Sequence, residues 1–220
     1  MIALELISYD IPPLKLSDTG VKVLDWMEEF KTTDLPVVDN NKYVGLIGES
    51  EILDRNDIED PLKSYNLTFK TPAVHEGKHI FEVISLIVQH EIDVLPVVDS
   101  DEKYLGIITP QTILKHLSKV VSVNNAGSII TLEVNIKDYS LSEISRMVES
   151  DDANILASFI TSHAESTKLE VTLKINKTDI SRILRTFERF NYTILASYHE
   201  SEYHNDLQDK YDQFMRFLNP

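Results

Sequence analysis

The sequence predicts an α+β protein in which a duplicated unit is followed by a single β-α-β-β-α-β unit. Three observations carry this. Leu35-Pro36-Val37-Val38-Asp39 recurs as Leu95-Pro96-Val97-Val98-Asp99. Each copy is followed by a tyrosine, an aliphatic residue, a glycine and a helix start, Tyr43-Val44-Gly45-Leu46-Ile47 and Tyr104-Leu105-Gly106-Ile107-Ile108. Beyond residue 127 the pattern changes to long alternating strands separated by amphipathic helices. A duplicated unit of this size seldom closes a core alone, so the copies are expected to pack on each other.

Within each copy an amphipathic helix precedes the Leu-Pro-Val-Val run. Val21, Leu24, Met27 and Phe30 recur at helical spacing, with Ser17 or Asp18 as cap, and map sixty positions on to Phe81, Ile84, Ile87 and His90. Phe81, Ile84, Ile87 and Val88 form the second apolar face. Pro36 and Pro96 lack an N–H, which places them at a strand start or sheet edge. Asp39 to Lys42 and Asp99 to Lys103 are polar turns, and the next helices begin near Glu49 and Pro110.

After the turn-rich joint at 124–127, Ile130, Leu132 and Val134 alternate with polar residues as a half-buried strand. Ser140 to Glu143 is a capping box that opens a helix with Leu141, Ile144, Met147 and Val148 on one side. Strands at Ile155–Phe159 and Leu169–Ile175 follow. A second helix buries Ile180, Ile183, Leu184, Phe187 and Phe190, and Tyr192 to Tyr198 closes the set. This order is ferredoxin-like, with both helices on one sheet face and a wet opposite face bearing Thr131, Glu133, Asn135, Glu170, Thr172 and Lys174. Residues 204–218 have helical spacing at Leu207, Tyr211, Phe214 and Leu218, and self-docking is the economical expectation for such a helix.

Composition narrows the function. Net charge is −15, of which residues 1–122 contribute −10, so a phosphate backbone is repelled and direct nucleic-acid binding is not expected. The basic stripe Arg182, Arg185, Arg189 reads as a solvated helix face. With no cysteine, disulfide and thiolate chemistry are excluded. No apolar run approaches a membrane span and the first residues lack a basic leader region, so the expected location is the cytoplasm. His75 and His79 stand four apart without a third ligand. Gly48-Glu49-Ser50-Glu51 begins like a nucleophile elbow but lacks the second glycine. No phosphate-binding glycine loop is present, and no enzyme is expected.

The repeated helix, LPVVD, turn and hydrophobic-hydrophobic-Gly-hydrophobic-hydrophobic pattern resembles the CBS domain, which occurs in tandem pairs. The resemblance implies a CBS-domain pair over residues 1–122, a regulatory role and a homodimer through exposed helical surfaces bearing Trp26, Leu53, Leu86 and Leu114. It also implies an adenine nucleotide (AMP, ADP or ATP) held by a pattern of glycine, two hydrophobics, Thr or Ser, two residues and Asp. The second copy reads Gly106-Ile107-Ile108-Thr109-Pro110-Gln111-Thr112, with Thr112 in place of the acid. The first reads Gly45-Leu46-Ile47-Gly48-Glu49-Ser50-Glu51, with Gly48 for the Thr and Glu51 for the Asp. Glu51 retains ribose-binding chemistry and Thr109, at a helix start, phosphate-binding chemistry. The bland alternative is that these residues only start helices. The following 127–200 unit resembles an ACT domain by topology and neighbourhood, as in small CBS-plus-ACT proteins of the acetoin-utilisation accessory type, with 201–220 as a C-terminal helix. Its loop Lys137-Asp138-Tyr139-Ser140 lacks the glycine that amino-acid-binding ACT domains carry. Two readings follow: a nucleotide sensor coupled to an unknown target protein, or a ligand-free structural dimerisation adaptor.

Overall fold

The computed structural model describes residues 1–54, 57–64, 72–163 and 166–199. The chain divides into two compact units, Met1–Leu117 and Ser118–Pro220. The expected 204–218 helix lies outside the described residues.

In the first unit, the first copy comprises α1 (Gly20–Phe30), β1 (Asp34–Asp39), β2 (Lys42–Gly48) and α2 (Glu49–Leu53). The second comprises β3 (Val74–His75), α3 (Ile80–His90), β4 (Leu95–Val98), β5 (Tyr104–Ile108) and α4 (Pro110–Val120). The copies correspond in register. Val37 pairs with Gly45 and Val97 with Gly106, and each ladder then bulges at the same Val-Val step. Leu14 bridges Val37 in parallel, as Val74 does Val97. Both first helices end on a left-handed residue sixty positions apart, Lys31 (φ 55°) and Glu91 (φ 52°).

Two cores lace the copies together. One joins Leu14, Val23, Met27, Leu35 and Ile52 to Val94 and Ile107 of the second copy. The other joins Val74, Ile80, Val83, Leu95 and Ile113 to Leu46 of the first copy and to Ala3 and Leu6. Neither copy closes its core alone, as the repeat predicts.

Three local expectations are corrected. The cap of α1 is Thr19, whose side chain accepts from the Lys22 N–H, not Ser17 or Asp18. The buried helix faces are Gly20, Val23 and Met27 in α1 and Ile80 and Val83 in α3, while Val21, Phe81 and Val88 point outward. Pro96 lies in the central strand of its sheet; β3 is only two residues long and pairs with Val97 and Val98, so no ladder bond is demanded of Pro96 on that side.

The second unit runs β6 (Ser128–Asn135), α5 (Leu141–Glu149), β7 (Ile155–Ser162), β8 (Lys168–Ile175), α6 (Ser181–Arg189) and β9 (Thr193–Tyr198). The sheet order is β7-β8-β6-β9 and every pairing is antiparallel. Ile130, Leu132, Val171 and Leu173 face Ile144, Val148, Ile183 and Phe187, so both helices cover one sheet face. Ser140 caps α5 through the Glu143 N–H. Phe190, expected in the core, is 54% exposed at the C-cap of α6, one residue past the end of the helix. The opposite face is half-buried, and Thr131 and Thr172 hydroxyls meet there at 3.3 Å.

Candidate functional site

The candidate site residues occupy two equivalent strand-to-helix junctions. In the first, β2 runs into Gly48, the N-cap of α2. Its N–H donates to Glu51 Oε2 at 2.9 Å, and the Glu49 N–H donates to the Thr33 carbonyl at 3.0 Å. Glu51 therefore closes its own helix start with one carboxylate oxygen. A Cβ at Gly48 would lie 3.5 Å from Asp34 Oδ1, so a buried acid faces this junction.

In the second junction β5 runs into Thr109, directly ahead of α4. Thr109 Oγ1 accepts the Thr112 N–H at 3.2 Å and lies 3.0 Å from Thr112 Oγ1. His116 Nδ1 stands 2.9 Å from the Thr112 carbonyl oxygen one turn on. The structure thus brings Thr109 and Thr112 together, and places Glu51 at the position equivalent to Thr112 in the other copy.

The two junctions differ in electrostatics. The first carries Asp34, Glu49 and Glu51, with Asp93 bound to Thr33 beside it. The second presents two hydroxyls and a helix N-terminus, a setting that suits an anion. Sequence reasoning missed Thr33, Asp34 and Asp93. Their signal lies immediately ahead of each Leu-Pro, where Thr33-Asp34 in one copy becomes Asp93-Val94 in the other.

The copies also meet through a reciprocal pair. The Tyr43 N–H donates to the Glu102 carbonyl at 3.3 Å and the Tyr104 N–H to the Asn41 carbonyl at 2.9 Å. The Tyr43 hydroxyl donates to the Pro72 carbonyl, whereas the buried Tyr104 hydroxyl has no hydrogen-bond partner among the described residues. Burial holds both phenols well above the ordinary tyrosine range, and for Tyr43 the neighbouring Tyr104 and Asp34 add to it.

A cavity of about 640 Å³ lies at the other end of the β1–β2 hairpin, lined by Lys15, Asp39, Asn41 and Lys63 among others, and reaches none of Glu51, Thr109 and Thr112. In the second unit a cavity of about 360 Å³ is lined by Glu133, Asp138, Glu143, Lys168 and Tyr192. Burial, then Glu143 and Asp138, raise the Tyr192 phenol above its ordinary value. Among the described residues no cluster of His, Asp and Glu is arranged to hold a metal ion, and no helix is long and apolar enough to cross a membrane.

Residues 66–119 match the family model of the CBS domain. The second copy of the front unit carries this match, and the first repeats that copy's strand register. The CBS region is 31% identical over 114 residues to an inosine-5'-monophosphate dehydrogenase of Methanocaldococcus jannaschii, covering 50% of this chain and 22% of that protein. The chain therefore spans less than a quarter of that curated relative. Among solved structures, a CBS domain pair/ACT domain protein of Thermotoga maritima is similar at 23% identity and a TM-score of 0.49, over 54% of this chain and 98% of that one. A protein named CBSX2, solved in complex with AMP, is similar at 21% identity and a TM-score of 0.46, over 54% and 97%.

Proposed function

We propose that this is a non-catalytic regulatory protein whose CBS pair takes an adenine nucleotide and whose second unit, ACT-like, transmits the bound state to a target protein. The observation that carries the reading is the pair of facing hydroxyls, Thr109 and Thr112, at the start of α4 within the CBS match. In this reading Thr109 and the α4 N-terminus hold a phosphate, Thr112 lines the same junction, and Glu51 takes ribose hydroxyls through the oxygen not bound to Gly48. The acidic surroundings of the first junction favour a ligand with fewer phosphates there. The strand order of the second unit supports an ACT-like assignment, and its 137–140 loop without glycine speaks for contact with a partner rather than capture of an amino acid. The protein acts as a homodimer in the cytoplasm.

A second reading has its own observation. Glu51 and Thr109 already satisfy their helix starts, which is all a ligand-free dimerisation adaptor asks of them. A thermal-shift panel of AMP, ADP and ATP, with and without magnesium, separates the two. A ligand at a hundredfold its dissociation constant adds about 2.7 kcal/mol to stability, a rise of several degrees. An unchanged melting temperature across the panel leaves the adaptor.

A further inference from the structure

We propose that residues 201–220 fold back over the second unit and seat the apolar face of 204–218, as a helix, in the groove between α5 and α6. This seating needs no nucleotide and involves the second unit alone. Ile144, Val148, Ile183 and Phe187 turn toward the sheet, which leaves a cavity of about 430 Å³ on the outer side of the two helices. Its apolar lining is Met147, half-buried, and Phe190, 54% exposed. Arg146 stands on the α5 wall and Arg189 on the α6 wall, its guanidinium 5.2 Å from the Phe190 ring. Against them the groove has one acid, Glu143, a local net of +1 in a chain of −15. An exposed apolar strip between two arginines suits an amphipathic segment that carries acids.

Topology, length and charge choose the occupant. Tyr198, at the end of β9, pairs with Ile129, and the neighbouring Ser128 hydroxyl donates to the Thr178 carbonyl at 2.8 Å, just ahead of α6. The chain therefore leaves the sheet at the start of α6. The two helices are antiparallel: Arg182, at the start of α6, lies 3.9 Å from Asp151, past the end of α5, while Glu143 and Arg189 share the groove from the other ends. The groove thus runs from the exit point toward Phe190. The five-residue link 199–203 reaches about 17 Å when extended, more than the diameter of one helix. A helix over 204–218 is about 22 Å long against about 14 Å for α6, so it spans the groove. Leu207, Tyr211, Phe214 and Leu218 give this segment one apolar face, with Asp206 and Asp212 on its two sides. Residues 201–220 hold Glu202, Asp206, Asp209 and Asp212 against Lys210 and Arg216, a net of −2. On the open sheet face Glu133 and Glu170 balance Lys168 and Lys174, so an acidic segment finds no comparable attraction there.

The chain has no cysteine, so a single thiol placed in the groove reports whether the groove is covered. Phe190→Cys and Ser150→Cys are made separately in the full chain; both positions line the groove, are exposed and lie outside the core. Each is compared with the same variant carrying Leu207→Asp and Phe214→Asp, which strip the apolar face of the tail. Maleimide labelling of the native proteins is followed by mass spectrometry. The expected result is labelling at least tenfold slower with the natural tail than with the aspartate tail, at both thiols. Equal rates at both thiols overturn the proposal. Co-expression of an aspartate-tail thiol chain with a tagged chain of natural sequence, followed by capture of mixed pairs, should leave that thiol fast. Protection regained in the mixed pairs assigns the covering segment to a second copy and overturns seating within one chain. In a further arm, Arg146→Glu with Arg189→Glu in the Ser150→Cys chain is expected to speed labelling at least tenfold. Unchanged protection there overturns the charge selection of this groove.

Discussion

Thr33 and Asp93 occupy equivalent positions of the two copies and bind each other. Thr33 Oγ1 lies 2.9 Å from Asp93 Oδ2, and the Thr33 N–H donates to the same oxygen at 3.2 Å. Two groups at one repeat position meet only near the pseudo-two-fold axis, so this contact marks where the copies face each other. The reciprocal bonds of Tyr43 and Tyr104 make the same statement through the backbone. Asp93→Ala is expected to cost about 1 kcal/mol, the low end for a charge-assisted bond because the pair is exposed. Urea unfolding of the first unit measures it, and a loss under a few tenths would show that the backbone pair alone fixes the junction.

The two glycines at positive φ are not equally replaceable. A Cβ at Gly127 (φ +146°) would lie 1.9 Å from the Ile175 carbonyl oxygen, which belongs to the backbone of β8 and has nowhere to go. At Gly106 (φ +152°) the nearest atom, 2.5 Å away, is the Cγ2 methyl of the Ile7 side chain, which must give by rotation about a stiff β-branched χ1 rather than by a shift of sheet backbone. Gly127→Ala is expected to destabilise the second unit by more than about 3 kcal/mol and Gly106→Ala by about 1–3 kcal/mol. Calorimetry of both variants gives the order, and a milder Gly127→Ala would contradict the backbone clash.

Asp18 gives the first unit an acid-labile anchor. Its carboxylate accepts from the Lys15 N–H and the Lys22 ammonium, both at 2.8 Å, beside the Thr19 cap of α1. Burial alone would raise its pKa, but the Lys22 and Lys15 hydrogen bonds outweigh burial and hold it below the usual aspartate value. A depressed folded-state pKa means stability is fully present above the unfolded value of about 3.9 and is lost as pH falls through the folded one. Asp18→Asn is expected to be less stable than wild type by about 1 kcal/mol at pH 7, with the gap closing below about pH 4. A gap that persists to pH 2 would assign the loss to packing instead.

The order of elements was legible because each is written as an apolar period bounded by turn residues, and the front half is written twice. The faces of α3 were not. Phe81, Val83, Ile84, Leu86, Ile87 and Val88 place apolar residues nearly all round the helix, so periodicity cannot choose between Val83 inside and Phe81 outside. The α1 cap was ambiguous because Ser17, Asp18 and Thr19 are all good caps in a row. At the candidate site, Glu51 and Thr109 could be named from the sequence, but their engagement with their own helix starts could not. Gly48 has no side chain to announce a capping box, and the acid that faces it, Asp34, has a valine as its counterpart in the other copy.

The double duty of Glu51 yields a test that separates structure from ligand. Its Oε2 accepts the Gly48 N–H, so Glu51→Ala removes a cap and is expected to lower stability by about 1 kcal/mol whether or not a nucleotide binds. Glu51→Gln keeps a side-chain oxygen able to accept that N–H and should melt close to wild type. It lacks the charge that would hold two ribose hydroxyls. A charge-assisted bond contributes roughly 1.5–3 kcal/mol where a neutral one contributes about 1. Titration calorimetry with the nucleotide that shifts the melting temperature should therefore show Glu51→Ala weakened at least tenfold and Glu51→Gln weakened severalfold at nearly unchanged stability. Affinity unchanged in both variants, while Thr109→Val abolishes it, would move the ligand wholly to the second junction and leave Glu51 as a helix cap.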